Sequence, residues 1–234
     1  MNAKELKDCH KRITQHLHRT PVLSSSAINK IVGAQLFFKC ENFQRMGAFK
    51  MRGATNAIMQ LSEDQKRRGV VTHSSGNFAQ AVSLAAKSLG IPAYIVMPSN
   101  ASDVKQNAVV GYDGKITLCE PTLEAREKAA QKIAQEKGAT FIHPSNDIDV
   151  ILGNATATIE LLDEHASLDY IFAPVGGGGL IAGTALAAHH FGNNCKVIGG
   201  EPNEADDAYR SLQSGKIETN LTTNTIADGL RTNL

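Results

Sequence analysis

A chain of 234 residues, 42% hydrophobic and 20% charged, has ordinary globular composition and room for one large domain or two small ones. Its 24 basic and 23 acidic residues leave a net charge of +1, which gives no drive toward nucleic acid or an anionic membrane. With no tryptophan and 5% aromatic residues, base-stacking platforms are not expected either. Cys9, Cys40, Cys119 and Cys195 lie far apart with no C-x-x-C, against a zinc knuckle or redox pair and in keeping with a reducing cytosol. The charged N-terminus has no apolar leader core, and the longest apolar run, 180–188, is too short to span a bilayer; a soluble cytoplasmic protein is expected.

In chain order, Leu6, Cys9, Ile13 and Leu17 recur at helical spacing, with Pro21 expected to stop that helix. Residues 35–40 read as a strand and 50–61 as a helix with Ala54, Ala57, Ile58 and Leu61 inward. A short strand at 70–73 leads to a helix at 77–89, and an apolar strand at 93–97 is stopped by Pro98. Helices at 103–110 and 123–137 alternate with strands at 116–119 and 140–143. A longer helix at 148–165 precedes a last strand–helix–strand unit at 170–175, 180–191 and 196–199. Such alternation predicts an α/β fold with mostly parallel sheets and ligands at the C-terminal ends of strands.

Three segments carry the chemistry. Lys50 sits among Gly47, Ala48, Phe49 and Met51, a setting whose desolvation favours a neutral, nucleophilic amine. Gly176, Gly177, Gly178 and Gly179 follow an apolar strand and open a helix, so backbone N–H groups can converge on an anion. Ser74-Ser75-Gly76-Asn77 forms a small polar turn between strand and helix; taken alone it also fits plain helix capping. A lysine for an aldehyde, a polar turn and a phosphate-holding glycine loop together describe a pyridoxal phosphate (PLP) site.

Two other readings are open at this point. Gly177-x-Gly179-x-x-Ala182, with Glu201 roughly 20 residues on, fits the dinucleotide fingerprint of an NAD(P)-dependent oxidoreductase, but leaves Lys50 and the 74–77 turn without a task. The other is a non-catalytic fragment of a PLP-enzyme fold. The acidic loop Glu201-Pro202-Asn203-Glu204-Ala205-Asp206-Asp207 has hard oxygen donors for Mg²⁺, Ca²⁺ or Mn²⁺; its spacing alone favours a solvated turn and a helix N-terminus that prefers acids.

From near residue 10 to its end, the chain resembles the serine racemase and serine/threonine dehydratase (ammonia-lyase) family, the fold type II PLP enzymes with a tryptophan synthase beta-like architecture. The likeness lies in Phe37-Phe38-Lys39-Cys40-Glu41, Gly47-Ala48-Phe49-Lys50, Thr72-His73-Ser74-Ser75-Gly76-Asn77, the segment 174–179, the acidic loop 201–207 and Thr225-Ile226-Ala227-Asp228-Gly229. The resemblance implies that Lys50 is the Schiff-base lysine and a base on one face of the cofactor. Phe49 would then pack on the ring, Asn77 would bond its phenolic oxygen, and Gly176 to Gly179 would hold its phosphate. It also implies that Ser75 acts on the opposite face, where plain dehydratases tend to have alanine. Ser74, Ser75 and Gly76 would meet the substrate carboxylate, with Arg126 nearby. Glu201, the Ala205 carbonyl and Asp207 match the family's divalent-cation site.

Phe78 stands where the family usually has histidine, Gly153-Asn154-Ala155-Thr156 where it has Gly-Gln-Gly-Thr, and Ser145-Asn146 departs at a cofactor-proximal loop. Family members also continue past the position of Leu234, so the C-terminal part of the large domain is expected to be missing. The division expected from the resemblance is a large PLP-binding domain from 1–68 and 147–234 and a small inserted α/β domain at 69–146. The implied reaction is elimination from serine, threonine or 3-hydroxyaspartate to a keto acid and ammonia, with serine racemisation as a second outcome, in a homodimer.

Overall fold

The computed structural model describes residues 1–232. In chain order the elements are α1 (Ala3–Ile13), β1 (Val22–Leu23), α2 (Ser26–Val32), β2 (Phe38–Lys39), α3 (Lys50–Met59), α4 (Glu63–Arg68), β3 (Val70–His73), α5 (Asn77–Ser88) and β4 (Ala93–Pro98). There follow α6 (Asp103–Gly111), β5 (Lys115–Cys119), α7 (Leu123–Lys137), β6 (Thr140–Phe141), α8 (Ile148–Glu164), β7 (Tyr170–Pro174), α9 (Gly179–Phe191), β8 (Lys196–Gly200) and α10 (Asp207–Ser214). A four-stranded sheet in the order β5-β4-β3-β6 is parallel throughout, as is the β7-β8 pair, whereas β1 and β2 pair antiparallel. Among the described residues no helix is long and apolar enough to cross a membrane.

The alternation expected from sequence is present, with four differences, one being that the strand expected at 140–143 stops at Phe141. The first helix ends at Ile13, well before Pro21, and gives way to a 3₁₀ turn at Thr14–His16; Thr14 donates its hydroxyl back to the His10 carbonyl at 2.6 Å. The strand expected at 35–40 shrinks to Phe38–Lys39: Asn29 Oδ1 takes the Leu36 N–H at 2.9 Å before it, and after the in-register bond from the Cys40 N–H to the Pro21 carbonyl at 3.0 Å the chain enters a 3₁₀ turn at Glu41–Phe43. Helices α2, α4 and α10, seven, six and eight residues long, are additional to the expected elements.

The largest core joins α3, α5 and the parallel sheet: Met51, Ala54 and Ile58 meet Phe78, Val82, Ile95 and Met97. A second core packs Leu6, Cys9 and Ile13 of α1 on Leu152, Ala155 and Ile159 of α8. Helices α3, α8 and α9 approach closely at glycines. A Cβ on Gly153 would lie 2.5 Å from the Arg52 carbonyl oxygen, and one on Gly183 would lie 2.6 Å from that of Ile151.

Through this apolar frame runs one buried ionic cluster. Arg52 on α3 is fully buried; its Nε and Nη2 donate to Glu41 at 2.7 and 2.8 Å, and its Nη1 and Nη2 donate to Glu160 of α8, both at 2.8 Å. Lys39 Nζ of β2 is 2.8 Å from Glu160, and Thr20 donates its hydroxyl to Glu41 at 2.6 Å. Burial alone would raise the Glu160 pKa, but bonds from His10, Arg52 and Lys39 and the Arg52 charge hold it well below the usual carboxylate range. Truncating Arg52 removes the one cation shared by Glu41 and Glu160 and leaves the buried cluster with excess negative charge. Arg52→Met is therefore expected to cost about 3–5 kcal/mol of unfolding free energy in urea titration.

Candidate active site

Lys50 opens α3 with no side-chain cap beneath it. Its amine donates to the Pro144 carbonyl at 2.7 Å and lies 5.2 Å from the Phe49 ring centre and 5.5 Å from that of Phe78. Among the described residues it has no carboxylate partner. Burial pushes its pKa down to about 8, so roughly a tenth of the amine is neutral at pH 7, against well under about a hundredth for an ordinary lysine.

The 74–77 turn lies beside it, because Phe78 is the first inward residue of α5. Ser74 donates its backbone N–H to Val96 across the sheet at 3.1 Å, and its Oγ accepts the Gly76 N–H at 3.2 Å. Helix α5 starts at Asn77 behind Gly76 at its N-cap, with no side-chain cap, so the capping role open to Ser and Asn is not taken. Ser75 makes no hydrogen bond among the described residues, and Asn77 is exposed at the helix start.

The glycine loop reaches the same place from the other sheet. Gly178, at φ +79°, is the left-handed residue that turns β7 into α9, and α9 also begins without a side-chain cap. A Cβ on Gly179 would lie 2.8 Å from the Ser145 carbonyl oxygen, so this position admits only glycine without a shift. Gly176 backs on the 229–232 segment, where a Cβ would meet Thr232 at 2.9 Å. The 143–146 bend thus touches Lys50 through Pro144 and the glycine loop through Ser145. By contrast, α1, α2, α4, α7 and α8 all carry side-chain N-caps, although α6 also begins without one.

Arg126 is on the first turn of α7, with Nε donating to the Thr122 carbonyl at 3.3 Å. Its charge helps lower the pKa of His73, after burial, which places it near the C-terminal end of β3. The acidic loop follows β8, whose Gly200 pairs with Pro174 just before the glycine loop. Glu201 accepts the N–H groups of Ala208 and Tyr209 at 3.2 and 2.8 Å, so it caps α10 as acids at a helix start do. Asp207 is buried and accepts from the Asn220 amide at 2.7 Å, and Ala205 is buried beside it. Among the described residues no group of three or more His, Cys, Asp or Glu side chains is placed to hold a metal ion.

Residues 13–233 match the family model described as pyridoxal-phosphate dependent enzyme. The chain belongs to that family. It is 48% identical over 234 residues to a serine racemase of Dictyostelium discoideum, covering 99% of this chain and 72% of the racemase. It is 47% identical over 227 residues to a beta-hydroxyaspartate dehydratase of Paracoccus denitrificans, covering 97% of this chain and 72% of the dehydratase. The solved structure of maize serine racemase superposes with a TM-score of 0.97 at 47% identity, covering 100% of this chain and 71% of that one. The fold is that of the fold type II PLP enzymes, and PLP is the family's cofactor. The dinucleotide reading of the glycine loop is not favoured.

The residues here fit that cofactor. The lysine is desolvated without a counter-ion, two uncapped helix starts face the same region, and Ser145 closes the glycine cradle from behind. Sequence reasoning passed over Pro144 and Arg52. Competitive acylation of the cofactor-free protein is expected to report half-deprotonation of Lys50 near pH 8, reactivity falling as pH drops below it. Surface lysines should titrate near about 10.4.

Proposed function

We propose that this chain binds PLP at Lys50 and acts on a small hydroxy amino acid (serine, threonine or 3-hydroxyaspartate), giving a keto acid and ammonia, with serine racemisation as a second outcome. The carrying observation is the Lys50 amine, desolvated and held by a neutral carbonyl between two aromatic rings. When bound, PLP supplies the electron sink that makes the substrate's Cα–H acidic.

The chain's own residues divide the remaining work. Lys50 takes the Cα proton on one face, and its depressed pKa keeps it competent as a base near neutrality. Gly176 to Gly179 would hold the phosphate at the start of α9, with Phe49 against the ring and Asn77 toward its oxygen. Ser74, Ser75 and Gly76 take the substrate carboxylate, where α5 offers uncapped N–H groups, and Arg126 adds positive charge at that end. Loss of the β-hydroxyl as water, then hydrolysis of the resulting enamine, gives the keto acid and ammonia. Ser75 delivers a proton to the opposite face of the planar carbon, which converts L-serine to D-serine. Support comes from its free hydroxyl and from relatives named for both reactions.

The proposal extends to a division at 69–146, the stretch that contains the whole four-stranded sheet. It further extends to a homodimer and to a hard divalent cation at Glu201, the Ala205 carbonyl and Asp207. Three oxygen donors in one short loop beside a helix start support the cation.

Borohydride reduction of the PLP-loaded protein should fix the label on Lys50 alone; a label elsewhere rejects the assignment. In the loaded protein, Ser75→Ala should abolish D-serine formation while keto-acid release from L-serine persists. Undiminished D-serine in that variant removes Ser75 from the second face. Glu201→Ala should cost about 1 kcal/mol without any cation, as other lost helix caps do. Mg²⁺ or Ca²⁺ should raise the melting temperature of the wild type and not of this variant; a wild type indifferent to both ions and to chelator has no such site.

A further inference from the structure

One side chain outside these assignments supports the site from behind. His143 follows β6, and its Nδ1 accepts two backbone N–H groups, from Ser145 at 3.2 Å and Asn146 at 2.8 Å. Two donors converging on one ring nitrogen require a lone pair there, so the ring is neutral and carries its proton on Nε2. The bend fixed in this way aims the Pro144 carbonyl at Lys50, 2.7 Å away, and lays the Ser145 backbone under Gly179. The imidazole itself is packed edge-on against His73 at 5.9 Å and Phe141 at 6.2 Å, and His73 leads directly into Ser74. One ring therefore borders all three segments of the site.

We propose that His143 is a positioning residue whose neutral imidazole clamps the 144–146 bend between Lys50 and Gly179, and that protonating this ring opens the clamp. Its consequence for cofactor binding rests on the PLP reading above; the clamp itself does not. An imidazolium would turn an N–H toward two N–H groups and lose both bonds. Lys50 of α3 faces the ring with positive charge, His73 of β3 meets it edge to face, and Asp147 and Glu127 of α7 oppose with negative charge. Arg126 of α7 and Glu127 act on His73 in the same way. Burial first, with Lys50 beside it, holds the His143 pKa below its ordinary value against the two carboxylates. The sign follows: the clamp is intact above the unfolded-state value of about 6.5 and is lost as pH falls through the depressed one.

The test begins with the cofactor-free protein. Imidazole ¹⁵N shifts, with the His143 signal identified by its absence in His143→Asn, should show the Nε2–H tautomer near neutrality. Exchange protection at the Ser145 and Asn146 amides, corrected for intrinsic rates, should fall about tenfold or more between about pH 7.5 and about pH 5, the scale of two lost hydrogen bonds. Asparagine can accept N–H groups a few residues on but does not titrate, so His143→Asn should keep its protection across that range. PLP affinity should follow: between those two pH values the wild type should lose about tenfold more than His143→Asn, the loss common to both coming from protonation of Lys50, whose pKa lies near about 8. An Nδ1–H tautomer, or wild-type protection indifferent to pH, overturns the clamp. Protection that responds while wild type and His143→Asn lose PLP affinity alike overturns its link to the cofactor. Protein that shows the clamp but never takes PLP on Lys50 leaves the clamp standing and rejects the functional reading instead.

Discussion

The Arg52 guanidinium is the constraint on which the rest of the chain is arranged. It is buried between Glu41 and Glu160, each bound through both of its carboxylate oxygens, and Lys39 adds a second cation against Glu160. Two positive and two negative charges leave the cluster neutral, which makes such a set tolerable away from water. The geometry of the guanidinium fork ties α3 to α8 and to the segment after β2 in fixed register. Lys50 is two residues upstream on the same helix, whose first turn has no side-chain cap. The direction of the reactive amine is therefore set by an ion pair that never touches it.

Close helix contact is the second constraint. At Gly53, Gly153 and Gly183 a Cβ would meet neighbouring atoms at 2.7, 2.5 and 2.6 Å, so α3, α8 and α9 approach nearly backbone to backbone. That spacing carries α9, and with it the glycine loop, toward the start of α3. The two sheets need not share strands for their C-terminal loops to meet; the helices between them bring the loops together.

Much of this was legible in the chain. Apolar runs between turn residues marked the strands of the parallel sheet, and 70–73 and 123–137 match their expected spans. The missed helices were short, yet their ends were written in the sequence: Ser25 before α2 with Gly33 after it, the Ser62–Gln65 capping box of α4, and Gly215 after α10. Lys50 stood out because an amine among glycine, alanine and phenylalanine is an odd neighbour. Arg52 and Glu160 did not, since they pair across 108 positions and each alone reads as an ordinary surface charge. Nor could sequence show that His143 turns its ring back to accept its own chain; that depends on a bend fixed by tertiary packing.

Helices α5 and α9, whose first turns face the site, begin without the side-chain caps that α1, α2, α4, α7 and α8 carry. Their leading N–H groups are left for water or for an incoming anion. A ligand that supplies those acceptors binds the folded chain and not the unfolded one, so its binding free energy adds to folding by mass action. The proportion of chain that is folded then becomes a readout of how much of that ligand the surroundings contain.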